Sequence, residues 1–320
     1  MTYGDKSSGG KSSAVMEGDP IAGAIRSKLD STIVAPGLHL VATPIGNLAD
    51  ITLRALAVLT RADVIACEDT RVTGKLKSTF GLKAPLLSYH DHNAAKAGAT
   101  LIKRLKGGDI VALVSDAGTP LISDPGYRLV RSAIDADISV FCVPGPSAAI
   151  AALVSAGLPT DRFFYAGFLP SRAGARREAL AGLTGIPATL VLYESPKRLR
   201  TALADMAEIL GPRNAAIARE LTKRHEEIRR GSLADLAQHY SVGDPPKGEI
   251  VVVIGPPGDG PTATADDVDN QLRAALQGKT VRDAADEVAA ATGWARREIY
   301  QRALRLKKGG NGADSDDIEI

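Results

Sequence analysis

Cysteine is scarce: Cys67 and Cys142 are the only two in 320 residues. They form no CxxC pair, which removes a zinc knuckle and a dithiol redox centre. Each sits in an apolar, strand-like run, 64–67 and 140–143, so both are expected as buried free thiols of a reducing compartment. Also missing is an apolar run long enough to span a bilayer. The longest, Ala148–Leu158, is alanine-rich, contains Ser155 and Gly157, and reads as a buried helix. The N-terminus has no apolar signal segment, and Asp5, Glu17 and Asp19 argue against a transit peptide. A soluble cytoplasmic protein is the expectation. Charge of one sign is not in excess: 39 Lys and Arg stand against 37 Asp and Glu. Any nucleic-acid-binding surface must therefore be local.

Two nucleotide signatures are absent too. Gly10-Lys11-Ser12 and Gly278-Lys279-Thr280 end like phosphate-binding P-loops, but Asp5 and Arg273 stand where the earlier glycine is required. The loop after the first apolar run, Thr43–Asn47, has one glycine, Gly46, and no GxGxxG, which counts against a nicotinamide enzyme.

What is present is an alternation of strand and helix patterns. Residues 1–36, rich in Gly, Ser and Lys, read as a disordered extension. Strands are predicted at Leu38–Ala42, Asp63–Glu68, Asp109–Asp116 and Ile138–Val143, with helices around Ile51–Leu59, Ala94–Leu105 and Gly126–Ile134. This order predicts a mainly parallel sheet covered on both faces. Beyond a boundary at Pro159-Thr160-Asp161, strands are predicted at Phe163–Phe168, Thr189–Tyr193, Ala215–Glu220 and Glu249–Ile254. A helix from Lys197 to Leu210 stops at Gly211-Pro212. The expected domains are two α/β domains, 37–158 and 159–256, a linker 257–264, a helical module 265–308 and an acidic tail 309–320. In the module, Val281–Ala291 and Trp294–Lys307 flank Gly293 in a helix-turn-helix outline.

Four loops fall at predicted strand ends, where open α/β sheets bind ligands. They are Thr43–Asn47, Ser115–Gly126, Val143–Ala149 and Leu192–Arg198. The second is twelve residues, rich in Gly, Pro and small polar side chains, directly after a core strand. Small residues let a ligand approach the backbone, and Asp116 can accept from a ribose or an amine. Ser147 and Ser195 also fit as plain helix caps, with Pro196 at the first helical position.

Seven segments carry a resemblance when taken in order: VATPIGNLADITLRAL (41–56), CEDTRVT (67–73), SYHDHN (88–93), SDAGTPLISDPG (115–126), PGPSA (144–148), YESPKRL (193–199) and ARELTK (218–223). Together they resemble the tetrapyrrole-methylase superfamily, and within it the branch that methylates a ribose 2′-hydroxyl of 16S ribosomal RNA. The likeness covers roughly residues 37–256 and extends into the C-terminal helices. It implies two α/β domains of the tetrapyrrole-methylase type with S-adenosylmethionine in the cleft between them, plus a small C-terminal helix-turn-helix-like module. It further implies 2′-O-methylation of a cytidine at the decoding site (cytidine 1402), with 16S rRNA or the small ribosomal subunit as partner, no membrane, and a homodimer as in two-domain relatives.

By motif position the resemblance implies cofactor contacts at Pro44, Gly46, Asp116, Gly118, Thr119, Ile122, Ser123, Ser147, Tyr193 and Gly248. Methyl transfer from a sulfonium is an in-line displacement that needs no metal. It needs water excluded, the acceptor oxygen aligned and a proton removed. Candidate bases and orienting groups are Glu68, Asp69 and Arg71, and Glu220 with Lys223; no one of them stands out as the base. Arg71 also suits an RNA phosphate. His90 and His92 make an HxH without a third ligand at suitable spacing, so RNA contact or plain loop structure is preferred to metal. Arg296, Arg297, Arg302 and Arg305, with Lys307 and Lys308, crowd the last helix against Glu298 alone, as phosphate neutralisation requires. Trp294 and Tyr300 are expected to pack in the module's core. Two rivals share the fold: a C-methyltransferase of a corrin or haem precursor, and a non-catalytic ribosome-binding factor. The first typically has a Gly-rich first loop and lacks a basic tail; intact cofactor loops argue against the second.

Overall fold

The structure is a computed structural model and describes residues 19–258, 265–292, 294 and 296–310. The chain divides into a compact unit ending at Pro256 and a second beginning at Pro257.

The first unit opens with helix α1 (Pro20–Ser31). The Asp19 carboxylate accepts from the Ile21 N–H, and Pro20 starts the helix, as a cap and a first-turn proline should. This corrects the disordered extension expected up to residue 36: α1 lies inside it, and Arg61 donates to the carbonyls of Leu29 and Asp30 at its end. The rest of that expectation, before Asp19, lies outside the described residues.

The elements then run β1 (Gly37–Val41), α2 (Leu53–Arg61), β2 (Val64–Cys67), α3 (Thr70–Phe80), β3 (Leu86–Ser88), α4 (Ala94–Lys106), β4 (Ile110–Val114), α5 (Tyr127–Asp135), β5 (Val140–Val143) and α6 (Ala148–Ser155). The five strands form an all-parallel sheet in the order β3-β2-β4-β1-β5. The uninterrupted apolar runs of β2 and β4 follow from burial on both faces. Ile65, Cys67, Ala112 and Val114 pack with Val58, Leu59 and Leu76 of α2 and α3. Val64, Ala66, Val111 and Leu113 pack the other way, with Leu101 and Leu129 of α4 and α5. Cys67 is buried as expected, but Cys142 is exposed. That correction has a simple cause: β5 is the edge strand of the sheet, paired along one side only.

The chain continues through β6 (Phe163–Phe168), α7 (Ala173–Ala181), β7 (Thr189–Glu194), α8 (Pro196–Leu210), β8 (Asn214–Arg219), β9 (Glu227–Ser232), α9 (Leu233–Ser241) and β10 (Ile250–Ile254). This sheet has the order β6-β7-β10-β8-β9 and is mixed: β6 and β7 are parallel, and the other neighbours antiparallel. β10, all Val and Ile, is buried throughout at its centre. One face carries α7, α8 and α9 through Leu180, Leu199, Leu203 and Leu233. The other receives α6: Ala149, Ala152 and Leu153 pack with Val191, Ala218, Val251 and Ile45. The two sheets are thus joined by a helix of one lying on the sheet of the other.

The second unit is a three-helix cluster of α10 (Ala265–Leu276), α11 (Val281–Thr292) and α12 (Arg296–Gly310). Val268, Leu272, Ala285, Val288, Ile299 and Ala303 form its core. Helices were expected from 281 and 294; α10 is the addition. Trp294 packs against the core with the Arg302 guanidinium 5.1 Å from its ring centre, whereas Tyr300 is exposed. Residues 259–264 of the expected linker and 311–320 of the expected tail lie outside the described residues. Among the described residues, no helix is long and apolar enough to cross a membrane.

Candidate functional site

Strand order explains how distant loops meet. β4, β1 and β5 are adjacent and parallel, so the loops leaving their C-terminal ends converge. Two reciprocal backbone hydrogen bonds of 2.9 Å join Thr43 to Gly118. The Thr43 hydroxyl donates to the Ser115 carbonyl, and the Thr119 hydroxyl to the Pro146 carbonyl at 3.0 Å. Gly118 holds φ +81°, open to glycine at little cost. Leu121 and Ser123, further along the loop, hold φ +73° and +64°. Non-glycine residues in this region store strain, which collects at functional loops.

The second sheet supplies the facing wall. Because β10 runs antiparallel to β7 and β8, its start lies beside their ends: Ile250 is in register with Glu194 and with Arg219. Glu220 and Thr222 again have positive φ, +51° and +65°. The Glu220 carboxylate accepts from Lys223 Nζ at 2.8 Å and from the Glu249 N–H at 3.0 Å, and Lys223 also pairs with Glu249. Gly248 (φ +95°) lies so close to Glu220 that a Cβ would stand 2.3 Å from its carboxyl group.

Between the walls lies a cavity of about 380 Å³. Eight residues expected at a cofactor line it: Asp116, Gly118, Thr119, Ile122, Ser123, Ser147, Tyr193 and Gly248. Pro44 and Gly46 do not; Ile45, between them, does. Gly46 instead meets the other wall, where a Cβ would stand 2.5 Å from Lys223 Cγ and 3.0 Å from the Leu221 carbonyl. Its smallness lets the two halves touch, and the Asn47 N–H donates to Thr222 Oγ1 across the same seam. Ser147 precedes α6 but makes no capping bond, which leaves its hydroxyl to the cavity. The sequence reading missed the apolar lining of Ala148, Leu221 and Val251, the Phe168 ring, and the carboxylates Asp124 and Glu194. Glu194, nearly fully buried, is held by Arg198 at 2.8 Å and by the Ser195 N–H at 2.6 Å. The Glu-x-x-x-Arg spacing across a helix start was its available signal.

The candidate catalytic residues lie around the cavity, not on its wall. Asp69 caps α3 and binds Arg71 through both carboxylate oxygens, which lowers its pKa to about 2. Arg71 itself extends into solvent. Lys223 first, with burial opposing, lowers the pKa of Glu220. Burial works against the Lys223 charge, but Glu220 and Glu249 outweigh it and raise its pKa. Glu68 goes up, through burial and then the charges of Asp116 and Asp91. Tyr193, edge-on to Tyr165 and Phe168, is pushed well above the ordinary phenol range by burial.

His90 and His92 stand with ring centres 5.9 Å apart. Among the described residues no group of three His, Cys, Asp or Glu is placed to hold a metal. In the second unit, Arg296 pairs with Asp286 and Arg302 with Asp269. The expected excess opposed by Glu298 alone is therefore corrected: acids of α10 and α11 offset half of the four arginines. Arg297 and Arg305 are exposed, with no ion-pair partner among the described residues.

The sequence profile of the tetrapyrrole (corrin/porphyrin) methylases matches residues 37–237, and the chain belongs to this family. The profile of the RsmI C-terminal HTH domain matches residues 262–307. The ribosomal RNA small subunit methyltransferase I of Mesorhizobium japonicum is 51% identical over 286 residues, 88% of this chain and 96% of that protein. The protein of the same name from Erythrobacter litoralis is 53% identical over 276 residues, 86% and 96% of the two chains. A solved uroporphyrin-III-C-methyltransferase from Thermus thermophilus shares the fold, with a TM-score of 0.51, 24% identity, and coverage of 69% of this chain and 94% of that one.

Proposed function

We propose that this protein transfers a methyl group from S-adenosylmethionine to the ribose 2′-hydroxyl of a cytidine at the decoding site of 16S ribosomal RNA. The observation that carries the reading is the cavity itself, read beside relatives named for methylation of small-subunit ribosomal RNA. Its residues fit this donor. Ile45, Ala148, Leu221 and Val251 offer apolar surface to an adenine, and the uncapped Ser147 hydroxyl offers a polar contact. Asp116, on the same wall and in no ion pair among the described residues, favours a ligand with cationic groups.

S-adenosylmethionine, consumed in the reaction, supplies an electrophilic methyl carbon on a sulfonium. The Asp116–Ser123 loop and Gly248 hold it, while Pro44 and Gly46 place Ile45 and close the seam. Asp69 fixes the start of α3, and with it the exposed Arg71, for an RNA phosphate. Glu220 and Lys223 brace the second wall at Gly248 and Glu249. His90 and His92, at the end of the first sheet beside Glu68, contact the RNA, as do Arg297 and Arg305; Arg296 and Arg302 chiefly hold the helices together. A homodimer buries Phe163, Phe164 and Phe168 of the edge strand β6 with Ile150 and Val154 of α6, all exposed in the single chain. The cytoplasm is where such a substrate is met.

The test is transfer of labelled methyl to small ribosomal subunits lacking the modification, with the product nucleoside mapped. The reading predicts one 2′-O-methylated cytidine, and label on a base or on no RNA overturns it. Removal of residues 264–320 should weaken subunit binding more than donor binding; equal losses contradict the docking role.

A further inference from the structure

Four carboxylates line the cavity: Asp116, Asp124, Glu194 and Glu249. Three are engaged. Arg198 and the Ser195 N–H hold Glu194, Lys223 holds Glu249, and Asp116 accepts the Asp69 N–H at 3.1 Å. Asp124 stands in no ion pair and accepts no backbone N–H among the described residues. We propose that Asp124 is the catalytic residue that takes the proton of the attacking ribose hydroxyl, an assignment that rests on the 2′-O-methylation reading above.

The loop fixes this carboxylate without a counter-ion. Ser123, immediately before it, is held at φ +64°, and its hydroxyl lies 2.6 Å from the Tyr165 hydroxyl. The groups that bear on Asp124 come from every side: Glu68 from the end of β2, Ser115 and Asp116 from the end of β4, Tyr165 from β6 and Tyr193 from β7. None is a cation. Burial first, then the charge of Glu68, with Asp116 adding to it, raises Asp124 to about 6 against a hydrogen bond from Ser115. Such an acid is still ionised at neutral pH, yet is a stronger base than an ordinary aspartate. Its rivals are less suited. Asp69 and Glu220 are held ionised by Arg71 and Lys223, and Glu68 does not line the cavity.

The step balances. A lone pair of the ribose oxygen forms the O–CH3 bond as the C–S bond breaks, and the electron pair of that bond goes to sulfur and discharges the sulfonium. The hydroxyl proton passes to the Asp124 carboxylate and then to water.

Methyl transfer to unmodified small subunits is to be measured at saturating donor and subunit across roughly pH 5–9, the range that brackets a base of this kind. In the unmutated enzyme log kcat should rise with unit slope through the pKa that Asp124 has in the loaded complex and then level off. Asp124→Asn should lower kcat ~10²–10⁴-fold and lose that limb, with donor affinity by calorimetry within about threefold. Asp124→Glu should restore part of the rate, and Asp124→Ser run beside it guards against a fault peculiar to Asn. A readout free of substrate is thermal melting. A raised acid lends stability below the ordinary aspartate pKa and loses it as pH rises through about 6, so Asp124→Asn should melt above the unmutated protein at pH 7 and lose that advantage toward about pH 4. Wild-type kcat in Asp124→Asn with the limb intact overturns the assignment. So does a loss confined to donor affinity, or a missing limb in the unmutated enzyme. If the unmutated enzyme modifies no subunit, the 2′-O-methylation reading has failed, and this assignment with it.

Discussion

The two walls of the cleft use the same residue types in opposite ways. On the second-sheet wall the acids have bases: Glu194 has Arg198, and Glu249 shares Lys223 with Glu220 just outside the cavity. On the first-sheet wall, Asp116 and Asp124 follow β4 with no cation bound to either among the described residues, and Glu68 at the end of β2 meets the like charges of Asp116 and Asp91, opposed by His90. The pKa directions follow. Glu220 goes down because a lysine is near; Asp124 goes up through burial and then the charge of Glu68, and Glu68 goes up through burial and then the charges of Asp116 and Asp91. One wall is a braced frame, whereas the other is left electrostatically incomplete, the state expected of a surface that meets a cationic ligand and a proton.

Four substitutions, with a fifth as a control, sharpen or break this contrast. The largest effect is expected at Gly248, where frame and cavity touch. Gly248→Val drives a side chain into the Glu220 carboxylate and should cost ~100-fold in S-adenosylmethionine affinity by calorimetry, about 3 kcal/mol. Gly243→Ala, with a similar φ but open space, should leave affinity unchanged. Next is Gly118→Val. Its Cβ would meet Ile45 at 3.4 Å, an ordinary contact, so the cost is that of φ +81° in a β-branched residue: ~10-fold in affinity in a folded protein. Unchanged binding there would detach Gly118 from the site.

Glu220→Gln probes the frame. Lys223 depresses this acid, so its contribution is present above the ordinary glutamate pKa and fades as pH falls through the lower folded value. The variant should lose about 1 kcal/mol at pH 7 in denaturant unfolding, with the gap closing below about pH 4. A gap that persists in acid would mean the role is packing. The smallest effect is Ser147→Ala. Loss of a cap would cost about 1 kcal/mol, but Ser147 caps nothing, so stability should hold within ~0.5 kcal/mol while donor affinity falls about threefold.

Much of the fold was legible because β1, β2, β4, β7 and β10 are short apolar runs, a pattern imposed by burial on both faces, and all but β2, which runs into Glu68-Asp69, are followed by Gly, Pro or Ser turns. β3 and β9 escaped notice for physical reasons: Leu86–Ser88 is three residues long, and Glu227–Ser232 is a charged edge strand. Helix α1 was hidden in a polar segment whose one signal was Asp19-Pro20. The site was legible as loops but not as individual roles. Gly46 and Gly118 read alike in the chain, yet one lets the two walls touch and the other lines the cavity.

The sequence by itself determined which segments become strands, helices and turns, because periodicity, caps and Gly/Pro positions act over a few residues. It also placed Arg296, Arg297, Arg302 and Arg305 on one helix. Tertiary structure alone decided which acids are neutralised. Ion pairing and desolvation act through space, and Lys223 reaches Glu249, 26 residues away, while no cation among the described residues reaches Asp124.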